Sequence, residues 1–593
     1  MKKVKFVLAL ALAITLIGAF IASGVQTVGG TVSIKTVSIA AENGRTISAQ
    51  LFVPDSATDS TPAPAVLLNH GYLNVKEHMT DIALELARRG YVVLAPDMSG
   101  HGYSQQLAME GQFFGLESSA GVNAALLSLY DMSIVDNTNI SVVGHSLGGH
   151  NSAITELKSP DKIKALVLLG YSPFFEYSSS CNTAVVISEY DEFPGFWFGA
   201  AKITDGGESA NLKMLFNTDE TITAGQLYGS FEDGTAREWF MPANTHPADL
   251  YRTQPIADTI SFIQSSSPAP NPIDPNNQIW QWHQLGTLIA LLGFAFSIFA
   301  SASLLLKTKF FGALVQTSQK SSGLKGIRWW IMAAVVTTIP ALTLFTLGNL
   351  GAKIPLSTIL PVKYSNITFT WAVGNGIIFL AMFLIWHFVS VKLAKGSNPI
   401  SYGLSTSAEM PEFKWATIGK SLLLAICTLG IPYILLCLVF NVLNVDYRFI
   451  VVMFHPMDFV HFKVFLVYLI PSILFFFASS LISYSWFRTK EFSGIKSIIP
   501  YIANALIVVL GLVVLNLMQY LTLFSTGSVK FPDVVSSLLA IAEWQLIPLL
   551  AFASGIATYL NKKTSNIYAG VFTSAALVAW YSICINAIEV VLK

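Results

Sequence analysis

The stretch Gly144-His145-Ser146-Leu147-Gly148 concentrates the chemistry of this 593-residue chain. It follows the apolar run Ile140-Ser141-Val142-Val143 and precedes a helix-competent segment from Gly149 to Leu157. That order predicts strand, sharp turn, helix, with the Ser146 hydroxyl pushed out above a sheet. Gly144 and Gly148 remove side chains that would collide with the neighbouring strand and helix. A serine hydroxyl is a poor nucleophile at neutral pH. It needs a base, and the base needs a carboxylate to orient it.

The elements that must position such a group surround it. An apolar run, Ala65-Val66-Leu67-Leu68, leads into Asn69-His70-Gly71-Tyr72. A helix is predicted at about His78 to Arg89, then a strand, Tyr91-Val92-Val93-Leu94-Ala95, closed by the turn Pro96 to Ser104. With these motifs in this order, residues 31–265 resemble the α/β-hydrolases, in their esterase, lipase and serine-peptidase-like part. The resemblance implies a mostly parallel sheet flanked by helices, and a nucleophile, acid and histidine in that chain order. It implies an oxyanion hole from two backbone amides, Leu147 after the nucleophile and, by position, Tyr72.

The acid is expected after the second of two further strands, Ala165 to Leu169 and Ala184 to Ile187. There the chain reads Ser188-Glu189-Tyr190-Asp191-Glu192. Asp191 fits best, although the family has glycine where Ser188 stands, and Glu189 and Glu192 are rivals. His246, in Asn244-Thr245-His246-Pro247, is the expected base. It follows a short strand, Trp239 to Met241, and precedes a helix from about Ala248 to Ile263. His70, His78, His101, His145 and His150 precede the acid and fit the order badly. His145 and His150 flank the nucleophile and are candidates to line its pocket. Only about a dozen residues, Tyr171 to Asn182, separate the two strands, too few for a large lid. The long excursion runs from Glu192 to about Glu238, and its cluster Phe193 to Phe198 either walls an acyl pocket or packs on the core.

The rest of the chain has a different composition. Hydrophobic residues make up 53% of the whole and charged residues 12%, with most of the charge before residue 270. A Ser- and Pro-rich stretch reads as a linker over 266–284, and 285–593 as an all-α membrane domain. Spans are expected near 285–306, 329–350, 371–391, 418–443, 464–484, 498–522, 538–560 and 568–591. Each has about 20 residues or more, enough to cross a hydrocarbon core of about 30 Å. Residues 1–24 are a signal peptide or, as the long run from Phe6 to Ala22 favours, a retained anchor. Glu543 is the carboxylate well inside a span, either functional or snorkelling outward.

Loop charges set the expected orientation. With the amino terminus inside, inner loops hold Lys307, Lys309, Lys320, Lys325 and Arg328; Lys392, Lys395 and Lys414; Arg488, Lys490 and Lys496; and Lys562 with Lys563. Outer loops hold fewer: Lys353 and Lys363, Arg448 and Lys463, and Lys530. The loop from Asp446 to Lys463 tolerates either side. The hydrolase-like domain is thus expected to be extracytoplasmic in a multi-pass cell-membrane protein.

Four cysteines imply no disulfide framework, and zero net charge points to no nucleic-acid partner. No His, Cys, Asp or Glu set has metal-ligand spacing, so neither metal nor cofactor is expected. The expected activity is acyl transfer to water, most simply hydrolysis of an apolar, lipid-like acyl ester. A peptidase is the variant within that class. The competing class is a transporter, sensor or assembly protein with an auxiliary hydrolase domain, since eight spans exceed what an anchor needs.

Overall fold

The computed structural model describes residues 2–41, 44–107, 115–316, 323–393, 398–488 and 494–592, with the side chains of 390–393 left aside. Lys320, Lys395 and Lys490 of the loop-charge pattern lie outside the described residues, as does the Lys392 side chain.

After helix α1 (Lys2–Gln26), the N-terminal domain runs β1 (Val32–Ala40), β2 (Thr46–Pro54), β3 (Ala63–Asn69), α2 (Thr80–Arg88), β4 (Val92–Pro96), α3 (Val122–Tyr130), β5 (Val135–His145), α4 (Leu147–Lys158), β6 (Ala165–Leu169), β7 (Asn182–Val186), α5 (Pro194–Phe198), α6 (Ala210–Phe216), β8 (Leu227–Tyr228), β9 (Arg237–Phe240) and α7 (Thr253–Ser266). The nine strands form one sheet in the order β1-β2-β4-β3-β5-β6-β7-β9-β8. From β4 to β9 the neighbours are parallel, and β1, β2 and β8 add antiparallel edges. Parallel strands are covered on both faces, so they read as continuous apolar runs. Leu67, Leu94, Val142 and Leu168 face one core. Val66, Val93, Val143 and Val167 face the other, with α2 and α7.

The second half runs α8 (Trp280–Leu305), α9 (Ile327–Ala352), α10 (Lys363–Leu393), α11 (Trp415–Leu443), the hairpin β10 (Tyr447–Phe449) and β11 (Val452–Phe454), α12 (Phe459–Trp486), α13 (Ile499–Thr526), α14 (Val534–Thr564) and α15 (Tyr568–Cys584). Among the described residues, eight helices, α1 and α8 to α14, are long and apolar enough to cross a membrane; α15 has 17 residues. The apolar run read as a span to 591 therefore stops being helical at Cys584. Beyond it the chain returns to the N-terminal domain, where the Ile588 amide donates to the Gly100 carbonyl at 2.8 Å.

α1 packs on α8 through small residues. A Cβ on Gly18 would stand 2.3 Å from the Ala290 nitrogen, and one on Gly286 would stand 2.5 Å from the Ala22 nitrogen. Backbones this close gain packing without apolar side chains between them. Phe6, Leu10, Ile17 and Phe20 point outward. Glu543 is 1% exposed, so it is enclosed by protein rather than snorkelling.

The segment read as a linker is pinned. Arg89 donates to the carbonyls of Ile273, Asp274 and Asn277, and the Tyr91 hydroxyl donates to Ser267 O. The Glu85 carboxylate accepts the amides of Ile279 and Trp280, placing negative charge at the α8 amino terminus. A buried polar seam continues from there. His283 meets Asp81 at 2.8 Å, Gln284 donates to Asp81 at 2.6 Å, and Lys76 meets Asp97 at 2.6 Å and Glu77 at 3.1 Å. Arg448, paired with Asp446 at 3.2 Å, donates to the Glu77 carbonyl. The loop that sequence alone left free to lie on either side is therefore on the side of the N-terminal domain. Its arginine is neutralised there rather than marking the opposite face.

Candidate active site

β5 ends in the centre of the sheet and turns at once into α4. Ser146 occupies that turn with φ 54° and ψ −116°, a conformation disfavoured for a residue with a Cβ. Its amide is held by the Leu169 carbonyl of β6 at 2.8 Å. The two elbow glycines are sterically required. A Cβ on Gly144 would lie 2.2 Å from Gly148 O, and one on Gly148 would lie 2.3 Å from Asn69 O. Ser146 itself is half-buried.

Asp191 follows β7 and His246 follows β9, so both reach the carboxyl edge of the sheet where Ser146 stands. His246 Nδ1 donates to Asp191 Oδ2 at 2.7 Å. The His246 ring lies 4.9 Å, centre to centre, from that of His145, the residue before Ser146. Asp191 Oδ1 accepts the Phe193 amide at 2.8 Å and the Trp197 indole N–H at 3.0 Å. Of the rival acids, Glu192 bonds the His246 backbone amide at 2.9 Å rather than its ring. Glu189 is tied through its own amide to the Pro242 carbonyl at 2.8 Å.

The electrostatics follow from burial and neighbours. Burial favours a neutral His246, but the Asp191 carboxylate outweighs it and lifts the imidazole to about 9. Burial, then the Asp191 charge, lifts Glu192 to about 7. Burial and then the His246 charge hold His145 well below the ordinary histidine value. A neutral His145 donates from Nε2 to the His246 carbonyl at 3.2 Å.

The loop after β3 lies against Ser146. A Cβ on Gly71 would sit 3.4 Å from the Ser146 Cβ. His70 Nε2 accepts the Met98 amide at 3.0 Å, which leaves its Nδ1–H to donate to Gly71 O at 2.8 Å. His101 Nε2 holds the Tyr72 carbonyl at 2.9 Å. These contacts fix the backbone around Tyr72, and Leu147 opens α4 beside Ser146.

Three features had little or no sequence signal. Trp197 is a donor to Asp191, whereas the cluster Phe193 to Phe198 reads from sequence only as apolar bulk. Two rings of the cluster also pack on His246: Phe193 edge-on at 5.2 Å and Trp197 stacked at 6.1 Å. Ser188, the departure from the family glycine, donates to the Asp249 carboxylate, which burial pushes well above the usual carboxylate range. The third feature is a set with metal-ligand atoms where none is expected from spacing. His145, His246 and Asp249 bring such atoms within 4.8 Å of one another. His246 Nδ1 is engaged with Asp191 and His145 Nε2 with the His246 carbonyl, so the set is the back of the same site.

The sequence signature of the alpha/beta hydrolase fold family matches residues 64–198. An uncharacterized protein of Mycobacterium tuberculosis is 30% identical over 106 residues, 18% of this chain and 28% of that protein. An abhydrolase domain-containing protein of Schizosaccharomyces pombe is 30% identical over 114 residues, 19% of this chain and 39% of that protein. The chain thus spans well under half the length of these relatives. Among solved structures, the thioesterase domain from the curacin biosynthetic pathway is 28% identical over 23% of this chain and 44% of its own, with a TM-score of 0.19. An epoxide hydrolase from Vigna radiata is 22% identical over 25% of this chain and 41% of its own, with a TM-score of 0.20. The N-terminal part of this chain thus has the α/β hydrolase fold and matches that family's signature over residues 64–198, and it is joined to a series of helices apolar and long enough for a multi-pass membrane protein.

Proposed function

We propose that this protein is a membrane-bound serine hydrolase that cleaves an apolar acyl ester at the extracytoplasmic face. Ser146 attacks the carbonyl carbon and forms an acyl-enzyme. His246 takes the serine proton and passes it to the leaving alkoxide. A water then repeats the sequence and releases the acid. Asp191 holds His246 in the tautomer that leaves Nε2 free to accept, and the Tyr72 and Leu147 amides stabilise the oxyanion. The observation that carries this reading is the strained Ser146 elbow at the same sheet edge as the 2.7 Å His246–Asp191 pair.

The test is a fluorophosphonate probe on the full-length protein, followed by a panel of p-nitrophenyl esters and aminoacyl amides. Labelling at Ser146 that vanishes in Ser146→Ala, with ester turnover, is expected. Labelling that survives Ser146→Ala removes the assignment, and turnover of amides alone makes the enzyme a peptidase. The loop charges support an extracytoplasmic domain, and the α1–α8 contact supports retention of α1. A membrane-impermeant thiol reagent on intact cells should label a cysteine at Asp59 and not one at Lys309, in a variant lacking the native cysteines. The reverse pattern inverts the orientation.

A further inference from the structure

The segment that follows α15, from Ile585 to Val590, is buried between the two halves of the chain. Its backbone is fixed on both. The Ile588 amide donates to the Gly100 carbonyl in the turn after β4, and the Glu589 amide donates to the Pro361 carbonyl just before α10, each at 2.8 Å. At Gly100 backbone meets backbone: its φ is 74°, and a Cβ there would stand 2.4 Å from the Ile588 carbonyl oxygen. Glu589 is 1% exposed. Its carboxylate accepts the Lys363 amide at 3.3 Å, at the amino terminus of α10, where a helix end favours negative charge.

The same carboxylate oxygen accepts the Tyr72 hydroxyl at 2.8 Å. Tyr72 follows Gly71, where an added Cβ would stand 3.4 Å from the Ser146 Cβ. The Tyr72 carbonyl is held by His101 Nε2 at 2.9 Å, and His101 follows Gly100. The segment after α15 therefore reaches Tyr72 by two routes. One runs from Glu589 to the hydroxyl, and the other from Ile588 through Gly100 and His101 to the carbonyl. From the sheet side, His70 holds the Gly71 carbonyl, which shares a planar peptide unit with the Tyr72 amide. The direction of that amide is thus set from both halves of the chain.

We infer that Glu589 is a positioning residue for the reaction: it acts through Tyr72, so that the amide assigned to the oxyanion is aimed by the helical half of the chain. The inference rests on the proposed hydrolase reading and adds to it a residue more than four hundred positions beyond Ser146. An oxyanion donor acts on charge that develops only in the transition state, so a misaimed one lowers kcat and leaves KM in place. Because His70 still holds the peptide unit, the expected loss is about tenfold, short of the roughly 10²–10³ that follows removal of such a donor. Turnover then depends on the docking of the two halves, a use for the helices that anchoring does not give them.

The experiment uses full-length protein in lipid nanodiscs, with p-nitrophenyl butyrate as substrate. A fluorophosphonate titrates the sites: Ser146 Oγ displaces fluoride from phosphorus, and turnover is expressed per labelled serine. Glu589→Ala should lower kcat about tenfold with KM unchanged, and Glu589→Gln, which keeps an acceptor, should restore most of it. Tyr72→Phe removes the same bond from its other end and should match Glu589→Ala, with no further loss in the double variant. Unchanged turnover per labelled serine in Glu589→Ala, with only a lower melting temperature, overturns the inference and leaves the hydrolase reading intact. So does a raised KM at constant kcat, or losses that add in the double variant. An unaltered protein that does not react at Ser146 overturns the reading itself. If Glu589→Ala fails to fold, Tyr72→Phe, which removes only a hydroxyl, decides.

Discussion

On the sheet side of the site, Asp191 is held by His246, the Phe193 amide and the Trp197 indole, all within one domain. On the membrane side, Glu192 accepts from Tyr520 at 2.7 Å and Tyr72 donates to Glu589 at 2.8 Å, both partners lying far along the chain. The first wall is over-determined: losing one donor leaves two. The second wall is held by hydrogen bonds that cross to the helical half. The difference separates two tasks. The His246–Asp191 pair is fixed within the sheet domain, whereas the far side of the site is held by partners on the long apolar helices and the chain that follows them.

The largest expected effect is on the sheet side. Asp191→Asn should lower kcat by about 10⁴, since the asparagine amide favours the wrong histidine tautomer. Glu192→Gln and Glu189→Gln should change it far less. The pH profile sharpens this. His246 serves as a base only when neutral, and Asp191 raises it from 6.5 to about 9. Activity should therefore fall as pH drops through a limb lying above 6.5. In Asp191→Asn burial remains and the raising charge is gone, so the residual activity should have its limb below 6.5. A limb that stays in place in Asp191→Asn shows that another carboxylate orients the ring.

The interface comes next. Lys76 is buried with Asp97 and Glu77 as partners. Lys76→Met leaves two buried carboxylates without that cation and should destabilise the full-length protein by about 3–5 kcal/mol. Thermal unfolding in detergent reads this directly. A near-neutral result shows that the seam is hydrated and that the halves dock weakly.

The sequence disclosed the sheet side far better than the membrane side, for physical reasons. β3, β4, β6 and β7 are buried on both faces, so their apolar runs stand out. Ser146 follows the buried apolar end of β5 and Asp191 follows β7, so the runs that predict those strands also locate them; His246 follows the short, half-buried β9 and is found by its order after the acid. Trp197 was illegible because composition shows an apolar ring and not the nitrogen that needs an acceptor. Glu589 was illegible because hydropathy cannot distinguish the end of a span from a tail folded into an interface. The path of the 266–284 segment was illegible for the same reason: Ser and Pro predict a turn-rich stretch, and the distant Glu85, Arg89 and Tyr91 fix it.

Trp197→Phe tests the over-determination itself. It keeps the ring that stacks on His246 and removes one hydrogen bond to a charged group, worth about 1.5–3 kcal/mol. Turnover should fall about tenfold to a hundredfold at unchanged KM, well short of Asp191→Asn. A loss as large as that of Asp191→Asn shows that the Phe193 amide alone cannot hold the acid.

The smallest effect is expected from Tyr520→Phe, and it bears most directly on whether the membrane helices influence the catalytic pair. The Tyr520 hydroxyl favours the charged form of Glu192, which is already lifted to about 7 by burial and Asp191. Without that hydroxyl Glu192 holds its proton to higher pH. A protonated Glu192 supports the His246 charge less, so the activity limb should move to lower pH, with turnover changed less than about tenfold. A merely structural role for Tyr520 moves stability and leaves the limb in place. The double variant decides the route. If Tyr520 acts through Glu192, Tyr520→Phe should have no further effect on the limb once Glu192→Gln is present, because the amide introduced there does not titrate. Additive shifts show that α13 reaches the site by another path.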